Sequence, residues 1–139
     1  MEYIKQLLQG KYPAAPKFSV MISHVKDIAK AHVLSLNNKK AEGRRLIVGS
    51  GTRSILELSK IMAKNIPSHS KKLPKRELPN FMVKLISYVD SSAKNLVPDL
   101  GLKMETDTKY AEEILQMKFI EPEVSVVDAA KSVIRLNLA

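Results

Sequence analysis

The feature that most constrains this chain is a strand–helix unit that occurs twice within about fifty residues. The first unit is Phe18 to Asn38, FSVMISHVKDIAKAHVLSLNN. Phe18 to Val25 is rich in apolar and β-branched residues between Pro16 and the polar pair Lys26-Asp27, as in a mostly buried strand. Asp27 is placed to cap the helix that follows, because a carboxylate accepts from the free N–H groups of a first turn and suits the positive end of the dipole. On that helix Ile28, Ala31 and Ser35 share one side, and Ala29, Val33 and Leu36 share another. Its small alanines let it lie close against a sheet. The second unit is Arg45-Leu46-Ile47-Val48 as a strand, Gly49-Ser50-Gly51-Thr52 as a loop, and a helix from Ser54. Strands alternating with helices at this spacing predict parallel pairing through helical crossovers, hence an α/β fold.

The remaining segments read as helices and loops packed around that pair. Tyr3, Ile4, Leu7 and Leu8 have helical spacing before the stop at Gly10. Gly10 to Pro16 is a loop by its glycine and prolines. Asn37 to Gly43 is a polar turn. Ser54 and Glu57 make a capping box ahead of an apolar stripe of Ile55, Leu58, Ile61 and Met62, and Pro67 ends that helix. Ser68 to Pro79 reads as a long basic connection. Phe81, Leu85, Ile86 and Val89 mark another amphipathic helix, and Pro98 to Lys103 a turn. Thr106 or Asp107 caps a short helix bearing Tyr110, Ile114 and Leu115. Pro122 opens a last helix with Val124, Val127, Ala130 and Ile134 inward.

Composition bounds the function. The 139 residues are 45% hydrophobic and 27% charged, one domain's worth of ordinary globular chain. There is no cysteine, so disulfide and thiolate chemistry are excluded, and cytoplasmic residence is the default expectation. No apolar run reaches the ~18 residues needed to span a bilayer, and the amino terminus lacks the pattern of a secretory leader. The net charge of +9 invites a nucleic-acid reading. The basic pairs Lys39-Lys40, Arg44-Arg45, Lys71-Lys72 and Lys75-Arg76 fall mainly in loops, with little aromatic interleaving and no recognised nucleic-acid motif. A solvated basic surface is the simpler reading.

The residues supply no complete catalytic set. Gly49-Ser50-Gly51 between a strand and a helix is placed as a phosphate cradle would be, but Ser54 stands where a third glycine is needed. A tight turn requiring flexible backbone accounts for it equally. His24, His32 and His69 are the only histidines, and no acidic pair or cysteine completes a metal set. His24 and Asp27 together suggest an acid–base pair, though capping explains Asp27 and burial explains His24. Tyr3, Tyr12, Tyr88 and Tyr110 are followed four residues later by Leu7, Pro16, Ser92 and Ile114, so no Y-x-x-x-K pair is present. Neither catalytic, cofactor-binding nor metal-binding residues are assigned.

Several segments in order nonetheless carry a resemblance. GKYPAAPKF, HVKDIAKAHVLSLNN and AEGRRLIVGSGTRSILELSKIM, followed by LGLKMETDTKYAEEILQMKF and EPEVSVVDAAKSVIRLNL, resemble the extended short-chain dehydrogenase/reductases. These belong to the NAD-dependent epimerase/dehydratase superfamily. Within it the chain looks most like the dihydroflavonol-reductase and aldehyde-reductase branch, over essentially all 139 residues. The resemblance implies that residues 1–139 are only the carboxy-terminal, substrate-side part. The glycine-rich NAD(P) turn and the tyrosine–lysine pair would lie in an amino-terminal half that this chain lacks. The last parallel strands of a Rossmann-like sheet would then be joined to a mostly helical substrate-binding lobe. No cofactor is expected for this chain alone.

By the same resemblance Met21 occupies the position of a substrate-facing glutamine in dihydroflavonol reductases. Its thioether lacks the amide's hydrogen bonds, which implies a simpler aldehyde or ketone than a flavonoid. Tyr12 and Pro13 would border the same pocket. Gln116 and Asn137 stand where the family commonly has glycine. The implied partners are a small carbonyl substrate and either a second copy or a complementing half, with no nucleic acid or membrane. Two other readings remain open. One is a remnant of a sugar-nucleotide epimerase or dehydratase in which Arg44, Arg45 or Arg53 holds a diphosphate. The other is a stand-alone basic binding module.

Overall fold

The structure, a computed structural model, describes residues 2–86, 88, 97–102 and 105–139, with Ile86 described by its backbone alone. In chain order these form α1 (Glu2–Leu8), β1 (Ala15–Pro16), β2 (Ser19–Met21), α2 (Val25–Leu36), β3 (Thr52–Ser54), α3 (Ile55–Asn65), β4 (Glu77–Leu78), α4 (Asn80–Ile86), α5 (Lys109–Leu115) and α6 (Pro122–Arg135). The chain is α/β, as its alternation of elements predicts, and its mass is mostly helical.

Strand pairing differs from the expectation. The parallel pair is β1 with β4, Ala15 opposite Glu77 and Pro16 opposite Leu78. Both partners fall in stretches that composition marks as connections. β2 pairs with β3 in antiparallel register, Ser19 opposite Ser54 and Met21 opposite Thr52. Residues 45–48 form no ladder, so the expected parallel pairing of the two strand units is absent from the described residues. The cause is a reversal at Gly51, whose φ of 117° is open to glycine. It turns Thr52–Ser54 back along β2, while Ile22 exchanges hydrogen bonds with Ser50 and Gly51. The strand Phe18–Val25 shortens accordingly to three residues.

The main core lies where α1, α3 and α6 meet. Leu7 and Leu8, Ile55, Leu58 and Met62, and Val126, Ala130 and Val133 are buried together there. Burial of each large side chain stabilises the fold by roughly 1.5–3 kcal/mol. Tyr3 meets Phe18 edge-on, with ring centroids 5.5 Å apart. α3 begins as its sequence dictates: Ser54 Oγ accepts from Glu57 N–H at 3.2 Å, and the Glu57 carboxylate accepts from Ser54 N–H at 2.7 Å. A second small cluster of Ala31, Leu115 and Met117 joins α2 to α5, with Leu46 and Val48 packed against it.

Three further expectations are corrected. The residue capping α2 is His24, whose Nδ1 accepts from Lys26 N–H at 3.1 Å. Asp27 lies within the first turn, buried, with Oδ2 accepting from Ile120 N–H at 2.7 Å. The buried face of α6 is Pro122, Val126, Ala130 and Val133, while Val124 is exposed. Apolar residues line α6 on more than one side, and the position of α1 and α3 selects the buried one. α5 is capped at Thr108, with Asp107 Oδ1 accepting from Lys109 N–H. Val89 and Lys103, which close the expected fourth helix and the turn after it, lie outside the described residues. Gln116 and Asn137 adopt positive φ (49° and 53°), the geometry for which glycine is the usual residue.

Candidate functional site

Between β2 and α6 lies an open groove of about 820 Å³. Its floor is apolar, formed by Val20, Ile22 and Leu58, with Tyr3 and Ile4 of α1 at one end. Along its α6 wall stand Asp128, Lys131, Ser132 and Arg135, and Lys26 closes the start of α2. Apolar floor and charged rim come from one cause. β2 turns alternate residues into the molecule, and α6 presents to the groove the side next to its buried stripe.

His24 and Ser125 are the buried polar residues of this groove, and Ser125 Oγ is turned to the backbone, donating to Glu121 O at 3.1 Å, which leaves the His24 ring as the remaining polar group. Because its Nδ1 accepts from Lys26 N–H, the neutral ring carries its proton on Nε2. That nitrogen faces Asp128 Oδ2 at 3.4 Å, a long contact to a carboxylate whose side chain is half exposed. The pair can hold a proton and orient a polar group. The suggested His24–Asp27 pair is not formed, since Asp27 is engaged by Ile120 N–H. Asp128, 104 residues from His24, was missed by sequence reasoning. Its only local signal is a charged position one residue off an apolar stripe, which most surface helices share.

Met21 lies on the groove, with Gly49 packed against it. Tyr12 and Pro13 do not line it. Tyr12 is half-buried beside α1, donating its hydroxyl to Gln6 Oε1, and burial first, then Tyr3 and Glu2, pushes its phenol above the ordinary value. Pro13 is exposed in the loop before β1.

Two of the amides that a phosphate cradle at the glycine loop would use are already bonded within the chain. Ser50 N–H is bonded to Ile22 O at 2.9 Å, and Glu57 N–H in the first turn of α3 is taken by Ser54. Those two amides are therefore closed to a phosphate, and Ser54 in place of a third glycine takes one of them. Arg53 Nη1 donates to the neighbouring Thr52 O at 2.7 Å, and Arg44 and Arg45 are exposed, with no bond joining the three. Among the described residues no group of three or more His, Asp or Glu is placed to hold a metal ion. His32 Nδ1 lies 2.7 Å from Ile28 O, and His69 Nδ1 lies 3.0 Å from Ser68 Oγ, each within its own segment.

This architecture is that of the carboxy-terminal part of a Rossmann-like reductase. The yeast methylglyoxal/isovaleraldehyde reductase Gre2, solved with NADPH, superposes with a TM-score of 0.71 at 20% identity, covering 98% of this chain and 40% of its own. Gre2 from Candida albicans gives 0.69 at 23% identity, with coverage of 98% and 37%. A reductase engineered to attenuate substrate inhibition in asymmetric catalysis gives 0.67 at 26% identity, with coverage of 96% and 35%. The chain thus spans well under half the length of these solved reductases. No protein-family model and no curated protein matches it.

Proposed function

We propose that this chain is the substrate-side part of an NAD(P)H-dependent reductase of small aldehydes or ketones, of dihydroflavonol-reductase type, and that it is inactive alone. The observation that carries the reading is the superposition of 98% of the chain on a reductase solved with NADPH. The groove supports it, because an apolar floor with a polar His24–Asp128 wall suits a small carbonyl compound with one hydrogen-bonding end. In this reading Met21 contacts the substrate's apolar part, and Tyr12 and Pro13 join the site only where a completing half extends it past the groove. The cofactor belongs to that half. Cytoplasmic residence is part of the same proposal and rests on the absence of cysteine. No helix among the described residues is long and apolar enough to cross a membrane.

The test is an amide NMR titration of the chain with 3-methylbutanol, the alcohol of isovaleraldehyde. The alcohol avoids Schiff-base formation with surface lysines. Shifts concentrated at Met21, Ser23, His24 and Ala129 are expected. Uniform or absent shifts reject the groove as a substrate site. NADPH oxidation by the isolated chain on addition of isovaleraldehyde rejects the claim that it is inactive alone.

A further inference from the structure

The apolar floor of the groove suits a neutral compound, but its rim carries charge that nothing in the chain answers. Lys131 and Arg135 stand four residues apart on α6, and Lys26 faces the same space from the start of α2. Two cations at that helical spacing repel each other. Asp128, three residues before Lys131, is spaced to pair with it, yet its carboxylate is turned to His24 Nε2. Among the described residues none of the three cationic side chains makes an ion pair or a hydrogen bond. Asp128 is also the one acid among the described residues that line the groove, so positive charge is in excess there.

The geometry gives the groove two different ends. At the helical rise, Lys131 lies about 4.5 Å and Arg135 about 10.5 Å along α6 beyond Asp128, and so beyond the His24 contact. At the near end His24 Nε2 carries a proton, and its 3.4 Å contact with Asp128 is long enough to be exchanged for a bond to a carbonyl or hydroxyl oxygen. Asp128 repels a ligand carboxylate from that end, which leaves the Lys131–Arg135 end to receive it. A carboxylate suits that end better than a phosphate. α6 brings its C-terminal turns here, where the helix dipole is negative, and Lys26 N–H is already taken by His24.

We propose that the carbonyl compound of this groove is an oxo acid, with Lys131 and Arg135 as the residues that select its carboxylate. Its apolar chain lies over Val20, Ile22 and Leu58, and its carbonyl oxygen accepts from His24 Nε2. The proposal rests on the reductase reading above and narrows its substrate class. In that reading a hydride from NAD(P)H and a proton turn the carbonyl into a hydroxyl, and the carboxylate is unchanged. Lys131 and Arg135 therefore hold the part of the molecule that does not react, and they act on which compound binds.

The probes are 5-hydroxyhexanoate, the reduced form of such an acid, and its uncharged amide, 5-hydroxyhexanamide. Each is titrated into the chain and followed by amide NMR at about 20 mM salt, where charges are weakly screened. The acid is expected to bind about fivefold or more tighter than the amide. Both should shift Met21, His24 and Ala129, and the acid alone Lys131 and Arg135. The preference disappears in Lys131→Gln/Arg135→Gln, whose two positions are exposed, while affinity for the amide is kept. Lys30→Gln, which removes one charge from an exposed position of α2 outside the groove, leaves the preference in place. Raising the salt to about 0.5 M narrows it. Equal binding of acid and amide, or a preference that survives the double variant, overturns the proposal. So does acetate, if it shifts the same amides with the affinity of the acid. Titration with 3-methylbutanol separates the two readings. Alcohol bound without any preference for the acid rejects the anionic end only. Acid bound with neither alcohol nor amide bound rejects the small-carbonyl reading, and the oxo acid falls with it.

Discussion

Gly49 offers the sharpest test of how tightly the groove is built. It is not held by a left-handed φ; the constraint is steric. A Cβ added there would sit 3.0 Å from Met21 Sδ, 3.1 Å from Met21 Cγ and 3.1 Å from Ile22 O. The Met21 atoms end a flexible side chain and can move toward the groove. The Ile22 carbonyl cannot, since Ser50 N–H holds it at 2.9 Å. Overpacking of this kind costs about 1–3 kcal/mol, and Gly49→Ala is expected within that range. Met21 is partly exposed, so Met21→Ala alone should cost less than about 1 kcal/mol. In the Met21→Ala background two of the three close contacts are gone, and the Gly49→Ala penalty should fall by roughly half or more, a coupling on the order of 1 kcal/mol. Urea unfolding of the four proteins reads these differences at constant m-value. A single-variant penalty under about 0.5 kcal/mol, or one identical with and without the Met21 side chain, would refute the close approach of this loop to β2.

Two further outcomes follow from single bonds. Asp27→Ala removes the acceptor of the part-buried Ile120 N–H and leaves that amide unpaired, for an expected loss of about 1 kcal/mol, at the low end for an unsatisfied donor; Asp27→Asn, which keeps an acceptor, should retain most of it in the same urea assay. The Glu57 carboxyl is held below its ordinary 4.5 by its bonds to the Ser54 backbone and hydroxyl, helped by Arg53 and Lys60. A carboxyl lowered on folding stabilises fully above its unfolded value of about 4.3, and that contribution is lost as pH falls through the folded value. In melting temperatures taken from pH 7 to pH 3, Glu57→Gln should therefore lie below the parent at neutral pH and converge with it in acid, and a constant gap would contradict the capping box.

What was legible in the chain is what nearest neighbours decide. The Ser54–Glu57 box is set by residues three apart, and it formed as read. Pro122 opening α6 and Gly10 ending α1 are likewise local. Two-residue strands are not local. Ala15-Pro16 and Glu77-Leu78 carry no period or propensity of their own, and they exist because the chain returns to the same place after sixty residues. The groove shows the same division. Met21 was reached through a resemblance at one position, whereas the partner of His24 stands on a helix laid down 104 residues later. Capping was foreseen at the start of α2, but the burial of its first turn beneath Ile120 lets His24 take the cap and Asp27 the tertiary bond.

The 45–48 segment is the instructive failure, because the pattern was right and the element did not form. Arg45-Leu46-Ile47-Val48 has the composition of a buried parallel strand and the alternation of one side packed. A strand, unlike a helix, cannot satisfy its own backbone, and its ladder exists only if a neighbour is present. The flanking strands in the chain, β2 and β3, are paired with each other through the reversal at Gly51. Residues 45–48 are therefore left with Leu46 and Val48 seated against Ala31 and Leu115 while their backbone joins no ladder.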